Sequence, residues 1–299
     1  MKSLLSIEEL TPKILSDLVN SGADFKLIRD SHDKPLAGQT WGMIFNKSST
    51  RTRLSFEVGI HELGGNALFL SANDLQLGRG EPIKDTARVM GRMLHGLIIR
   101  TYDQQDLTDF AEWGKIPVIN ALTDEEHPCQ ILADLLTIQE ELGSWEGKKI
   151  AFVGDGYSNM SISWMWAAKH LGFEFVIAAP KNHQPPAEFI AHLNAPNVTI
   201  TDSPLEAVAN AHVINTDVWL SMGQEGQAAK ELEFKGFQVN EQLLRTAHQD
   251  HIVLHCLPAY RGKEISEEVL EAHASTIFQQ AENRLHAQKA VLAWLAHAG

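Results

Sequence analysis

Thr40-Trp41-Gly42-Met43-Ile44-Phe45-Asn46-Lys47-Ser48-Ser49-Thr50-Arg51-Thr52-Arg53-Leu54-Ser55-Phe56 changes its period halfway along. Thr40 to Phe45 is a short, nearly unbroken apolar run, the signature of a strand covered on both faces. From Thr50 onward Phe56, Ile60 and Leu63 fall on one helical face, and Ala67 to Leu70 then reads as a second strand. Strand, helix, strand is the unit of a parallel sheet with helices packed on it. Working outward, the alternation recurs. Gly96 to Thr101 and Ile116 to Ala121 are further strands, and the segment after Glu81 places Ile83, Ala87, Met90 and Leu94 on one helical face.

Beyond Pro128 the spacing of Ile131, Leu135, Ile138 and Leu142 predicts a long helix stopped by Gly143, which reads as an interdomain spine. A second series of strands follows at Lys148 to Val153, Phe175 to Ala179, Val198 to Thr201, Val213 to Thr216 and Ile252 to His255. The fold class is therefore α/β, with two domains, each a mainly parallel sheet flanked by helices, joined by long interdomain helices. The expected boundaries are 1–143 for the first domain and 144–281 for the second. A terminal helix, 282–299, has no strand after it and is expected to pack back on the first domain.

A chain of 299 residues, 44% hydrophobic and 21% charged, is long enough for two such cores. Its net charge of −13 disfavours nucleic acid and anionic membrane surfaces as partners, so any anion has to be captured locally. Cys129 and Cys256 are too few for a disulfide framework, and the 14 histidines show no zinc spacing with them. No metal and no cofactor is expected. No segment approaches 18 uninterrupted apolar residues, and a cytoplasmic location is the expectation.

The candidate chemistry clusters at strand ends. Ser49-Thr50-Arg51-Thr52-Arg53 lies between a strand and an amphipathic helix, where free backbone N–H groups, hydroxyls and a guanidinium suit phosphate oxygens. The same letters also suit an ordinary helix cap. Arg100 ends the third strand, at the edge where open α/β sheets bind ligands. His127-Pro128-Cys129-Gln130 opens the spine helix, where an imidazole and an amide could polarise a carbonyl or simply start a helix. Gly154-Asp155-Gly156 is followed by Tyr157-Ser158-Asn159 and not by a third glycine, and Pro180 stands where a dinucleotide enzyme would carry an acid. A nicotinamide-dependent oxidoreductase is therefore disfavoured. Asn159 falls at a helix start suited to a carboxylate. Asp217-Val218-Trp219-Leu220-Ser221-Met222-Gly223 could be a lid carrying a carboxylate, and His255-Cys256-Leu257-Pro258-Ala259 ends the last strand with a thiol. Glu282-Asn283-Arg284 reads as the opening of the terminal helix.

In this order, from about residue 40 to the end, these segments and Leu75-Gln76-Leu77-Gly78-Arg79-Gly80-Glu81 resemble the aspartate/ornithine carbamoyltransferase family. The Ser-Met-Gly loop and the His-Cys-Leu-Pro-Ala segment resemble its ornithine branch. The resemblance implies transfer of the carbamoyl group of carbamoyl phosphate to the δ-amine of ornithine. It implies that Ser49, Thr50, Arg51 and Thr52 bind the phosphate, that Thr52, Arg100, His127 and Gln130 hold the carbamoyl group, and that Arg284 lies at the reacting centre. Gln76 would enter from a neighbouring subunit of a homotrimer. Asn159, Asp217, Ser221 and Met222 would bind the amino-acid end of ornithine, with Cys256 and the Leu257 carbonyl beside the reacting amine. Arg51, Arg100, His127, Asp217 and Cys256 are thus the expected catalytic set. A sibling enzyme acting on putrescine is the alternative, and Ser158-Asn159 departs from the two consecutive asparagines common in ornithine enzymes.

Overall fold

The computed structural model describes residues 2–29, 31–71, 80–220 and 228–296. Helices and strands alternate through α1 (Pro12–Leu27), β1 (Thr40–Phe45), α2 (Thr50–Glu62), β2 (Asn66–Ser71), α3 (Ile83–Met90), β3 (Gly96–Arg100), α4 (Gln104–Gly114), β4 (Val118–Leu122) and α5 (Pro128–Leu142). The alternation continues with β5 (Lys149–Val153), α6 (Asn159–Leu171), β6 (Glu174–Ala178), α7 (Ala187–Leu193), β7 (Val198–Thr201), α8 (Pro204–Val208) and β8 (Val213–Thr216). The last elements are α9 (Ala228–Glu233), α10 (Glu241–Leu244), β9 (Ile252–His255), α11 (Glu267–Ala272) and α12 (Ala274–Ala296). The chain forms two compact units, Met1–Leu136 with Glu282–Gly299, and Thr137–Ala281, and passes from one to the other inside α5 and again inside α12.

In the first unit the strand order is β2-β1-β3-β4, with every neighbouring pair parallel. Ile44, Leu97 and Ile99 pack with Ala87 and Met90 of α3 and Leu107 and Phe110 of α4 into one core cluster. The alternate positions Trp41, Met43 and Ile98 are buried as well, which is why these strands read as continuous apolar runs. α3 ends at Met90, with Gly91 as its C-cap, so Leu94 reaches the cluster from beyond the helix. The N-terminal helix α1, which the strand-centred reading passes over, starts at Thr11, whose hydroxyl accepts from the Ile14 N–H, with Pro12 in the first turn.

The second unit has the order β7-β6-β5-β8-β9, again all parallel. Val153, Ile214 and Val253 pack with Val208, Leu244, Leu270 and Phe234 on one side. Phe175 stacks against Trp164 of α6, their ring centroids 5.9 Å apart. In both sheets the order reverses: the chain leaves the first strand in one direction and returns to its other side. The reversal leaves the carboxyl ends of β1 and β3, and of β5 and β8, as the places where no crossover helix covers the sheet edge.

The terminal helix begins at Ala274, eight positions earlier than Glu282, because α11 ends at Ala272 and only His273 separates the two helices. Glu282-Asn283-Arg284 is therefore mid-helix, and no cap holds it. Packing holds this part of α12 in the first unit. Leu285, Ala290, Val291, Leu292 and Leu295 are buried, and the fully buried Lys289 donates to Glu62 at 2.8 Å.

The contact between α3 and α4 offers a test of the packing. A Cβ on Gly91 would lie 1.9 Å from the Gly114 carbonyl oxygen, and backbone cannot swing aside as a side chain can. Gly91→Ala is expected to lower the unfolding free energy by about 1–3 kcal/mol, read as a lower urea midpoint. An unchanged midpoint would contradict this packing.

Candidate active site

In the first unit the switch point between β1 and β3 carries the motif. Phe45 pairs with Arg100 in the register, and the Asn46 N–H donates to the Arg100 carbonyl at 2.8 Å, so the two strand ends stay together. Ser49 is the N-cap of α2: its hydroxyl accepts from the Thr52 N–H at 3.2 Å. The structure shows Ser49 as a helix cap, and one hydroxyl cannot satisfy all the free N–H groups of a helix start, so the cap leaves donors for an anion there. Ser49, Thr50 and Arg53 line a cavity of about 610 Å³ together with Phe45, Lys47 and Phe69. Arg53 is taken up by Glu57 and by the face of Phe69.

Thr52 turns the other way and is buried. Its Oγ1 accepts from Arg284 Nη2 at 3.2 Å, and Arg284 Nη1 donates to Gln130 Oε1 at 2.7 Å. Gln130 Nε2 in turn donates to Asp134 at 2.7 Å. His127 lies buried among the same cations. Burial first, then the nearby Arg284, Arg100 and Arg51, hold its ring well below the ordinary imidazole pKa, so it is a neutral donor or acceptor and not a cation. Thr52, Arg51, Arg100, His127, Gln130 and Arg284 are therefore brought together in one unit from four segments. Asp134, which no motif singled out, joins them. Its signal was present as a carboxyl inside an apolar helical stripe, one turn after Gln130. Cys129 is buried beside them, its thiol donating to the Asn120 carbonyl and pushed up to about 12 by burial, which makes it inert.

In the second unit the switch point lies between β5 and β8. Asn159 is the first residue of α6, half-buried, and Ser158 is its N-cap in a reciprocal capping box with Ser161. Serine and asparagine are both strong N-caps, so Ser158 can replace a first asparagine without moving Asn159. Gly154 sits at φ +149°, and a Cβ on Gly156 would meet Ala179 at 2.8 Å. Backbone conformation and close packing account for both glycines with no dinucleotide.

Asp217 follows β8 and Cys256 follows β9, adjacent parallel strands whose ends place the two side chains in contact. Cys256 Sγ donates to Asp217 Oδ1 at 2.9 Å. Burial pushes the Asp217 carboxyl up, against the opposing influence of His255, the Cys256 thiol and the Val218 N–H. Leu257 occupies the left-handed region at φ +56°, and its N–H donates to His255 Nδ1 at 2.9 Å. Asp217, His255 and Cys256 could hold a metal ion by proximity, but both His255 ring nitrogens are engaged, Nδ1 by Leu257 and Nε2 by Glu264 at 3.1 Å. The trio is a hydrogen-bonded group and a poor ligand set. Gln76, Ser221 and Met222 lie outside the described residues.

Two parallel-sheet units, one with buried guanidinium groups at a helix start and the other with a thiol–carboxylate pair, are the marks of an α/β enzyme that handles an anionic substrate. The sequence models of the two domains of one family match almost the whole chain. They are the carbamoyl-P binding domain of aspartate/ornithine carbamoyltransferase over residues 2–140 and its Asp/Orn binding domain over 146–295. The chain is 63% identical to an ornithine carbamoyltransferase of Akkermansia muciniphila over 100% of its own length and 99% of the relative's. It is 50% identical to an anabolic ornithine carbamoyltransferase of Pseudomonas aeruginosa, covering 98% and 96% of the two chains. The crystal structure of an anabolic ornithine carbamoyltransferase from Campylobacter jejuni superposes with a TM-score of 0.95 at 44% identity, covering 100% of both chains. The chain belongs to the aspartate/ornithine carbamoyltransferase family.

The electrostatics of His127 can be measured. Its ring signals in NMR, assigned by comparison with His127→Gln, are expected to stay those of a neutral imidazole from about pH 8 to 6. The unfolded chain takes the proton first, so the stability that His127 contributes is complete above the ordinary imidazole range and is lost progressively as the pH falls from that range towards the ring's lower folded-state value. A midpoint inside that range would reject the neutral assignment.

Proposed function

We infer that this chain transfers the carbamoyl group of carbamoyl phosphate to the δ-amine of L-ornithine, giving L-citrulline and phosphate. The observation that carries the reading is the gathering of Thr52, Arg51, Arg100, His127, Gln130 and Arg284 around one helix start in a member of this family. Ser49, Thr50, Arg51 and Thr52 bind the phosphate, and Thr52, Arg100, His127 and Gln130 hold the carbamoyl group with Arg284 beside it. Carbamoyl phosphate carries an activated carbonyl, so no covalent nucleophile is needed. The amine nitrogen forms the new C–N bond, the bond to the phosphate oxygen breaks, and the departing phosphate takes the proton. Arg51, Arg100 and neutral His127 stabilise the oxygen charge that develops. An acidic chain builds this cationic site locally because the arginines come from separate segments.

The amine half is assigned to the second unit, with Asn159, Asp217, Ser221 and Met222 on the amino-acid end and Cys256 and the Leu257 carbonyl beside the reacting nitrogen. Cys256 positions and does not attack, since its thiol is spent on Asp217. Binding groups for an α-carboxylate would be idle in an enzyme for putrescine. Citrulline formation from ornithine should exceed carbamoylation of putrescine, N-acetylornithine and aspartate by about a hundredfold or more in kcat/KM, as expected when a site's polar groups go unpaired. Comparable rates with putrescine would favour the sibling reading.

In the proposed homotrimer, Gln76 serves the neighbouring subunit's site. Arg51→Ala and Gln76→Ala, each nearly inactive alone, should regain about a quarter of the sites when dissociated and reassembled together, as a closed head-to-tail ring requires. Mixtures as inactive as their parents would leave the reaction standing and remove the shared site.

A further inference from the structure

Asp134 lies one helical turn after Gln130 on α5, in the first unit, fully buried in the same stretch as Ile131, Leu132 and Leu135. A carboxyl in such surroundings is costly unless its oxygens are used. One of them accepts from Gln130 Nε2 at 2.7 Å. The other end of that amide, Oε1, accepts from Arg284 Nη1 at 2.7 Å, and Arg284 Nη2 reaches Thr52 Oγ1 at 3.2 Å. The four side chains form a relay of donors set against acceptors.

A glutamine amide has an acceptor end and a donor end of nearly the same shape, so what it recognises depends on which way round it is held. Arg284 can only donate, and a carboxylate oxygen accepts, so the two neighbours agree on one orientation. We propose that Asp134 is a positioning residue that fixes the polarity of the Gln130 amide, and so makes the anion site selective for a carbamoyl group over an acyl group of the same shape. The proposal rests on the function assigned above, in which Gln130 meets the carbamoyl group. Oε1 keeps a second lone pair beyond the one that Arg284 uses, and the carbamoyl NH2 is the donor that fits it. An inverted amide would set N–H against N–H. Acetyl phosphate, with a methyl in place of that NH2, has nothing to donate and gains nothing from the oxygen.

Calorimetry on the full-length enzyme with carbamoyl phosphate, acetyl phosphate and inorganic phosphate separates the cases. The wild type should prefer carbamoyl phosphate to acetyl phosphate. Asp134→Ala should lose about tenfold of that preference, the size of one hydrogen bond, while inorganic phosphate binds as before. Asp134→Asn retains an acceptor oxygen and should keep most of the preference. If Asp134→Ala weakens all three ligands together, or leaves the ratio intact, the inference is overturned. Should Asp134→Ala fail to fold by circular dichroism, the single variant Gln130→Glu and its combination with Asp134→Asn give the same answer. The single variant sets two carboxyls face to face. In the combination, the amide introduced at position 134 can donate to the carboxylate introduced at position 130 and leave that carboxylate's second oxygen for Arg284. Restored preference in the double variant supports the relay, and equal damage in both overturns it. A wild type with no preference for carbamoyl phosphate would overturn the assigned function itself, whereas an intact wild-type preference that also survives in Asp134→Ala overturns only the role of Asp134.

Discussion

The buried guanidinium of Arg284 binds the first unit's site into one piece. It comes from the last helix of the chain and donates to Gln130 on α5 and to Thr52 on α2, segments 154 and 232 residues away. A charge held at 3% exposure needs acceptors such as these, so the site and the docking of α12 support each other. The same helix is anchored further along by Lys289 on Glu62, the last residue of α2. One helix thereby holds both ends of α2, its start at Thr52 and its end at Glu62.

The sheets determine where such sites can exist. Parallel strands all finish on the same edge, and crossover helices cover that edge except where the strand order reverses. Arg100 and Asn46 stand at the reversal in the first sheet, and Gly154 and Asp217 at that in the second. The residue types found there are those that can use an uncovered edge: hydroxyls and amides at helix starts, guanidinium groups, and a carboxyl that burial pushes up and a donating thiol partly holds down. Neutral His127 follows from the same arrangement, since burial among three arginines leaves no room for a fourth positive charge.

Local rules explain the apparent irregularities. Ser158 departs from the family's asparagine pair, yet it caps α6 as an asparagine would. Gly154 and Gly156 imitate part of a dinucleotide fingerprint because one needs its backbone angle and the other its closeness to Ala179. Arg53, next to the working residues of the motif, is spent on Glu57 and Phe69. Neighbours in a motif can thus have separate tasks, and the geometry of the helix decides which.

Apolar periodicity and capping are local properties of the chain, and they sufficed for the α/β class, for the nine strands among the described residues to within about two residues, and for the strand-end positions of Ser49 to Arg53, Arg100, His127, Asp217 and Cys256. Three things were decided only by tertiary structure. The start of α12 at Ala274 carries no strong cap and depends on packing. Asp134 is meaningful only because Gln130 and Arg284 stand beside it. The Cys256–Asp217 contact depends on two strands 39 residues apart lying next to each other. Long-range pairing has no period that a sequence can display, and a hydrogen bond between distant segments exists only after the hydrophobic cores have brought them together.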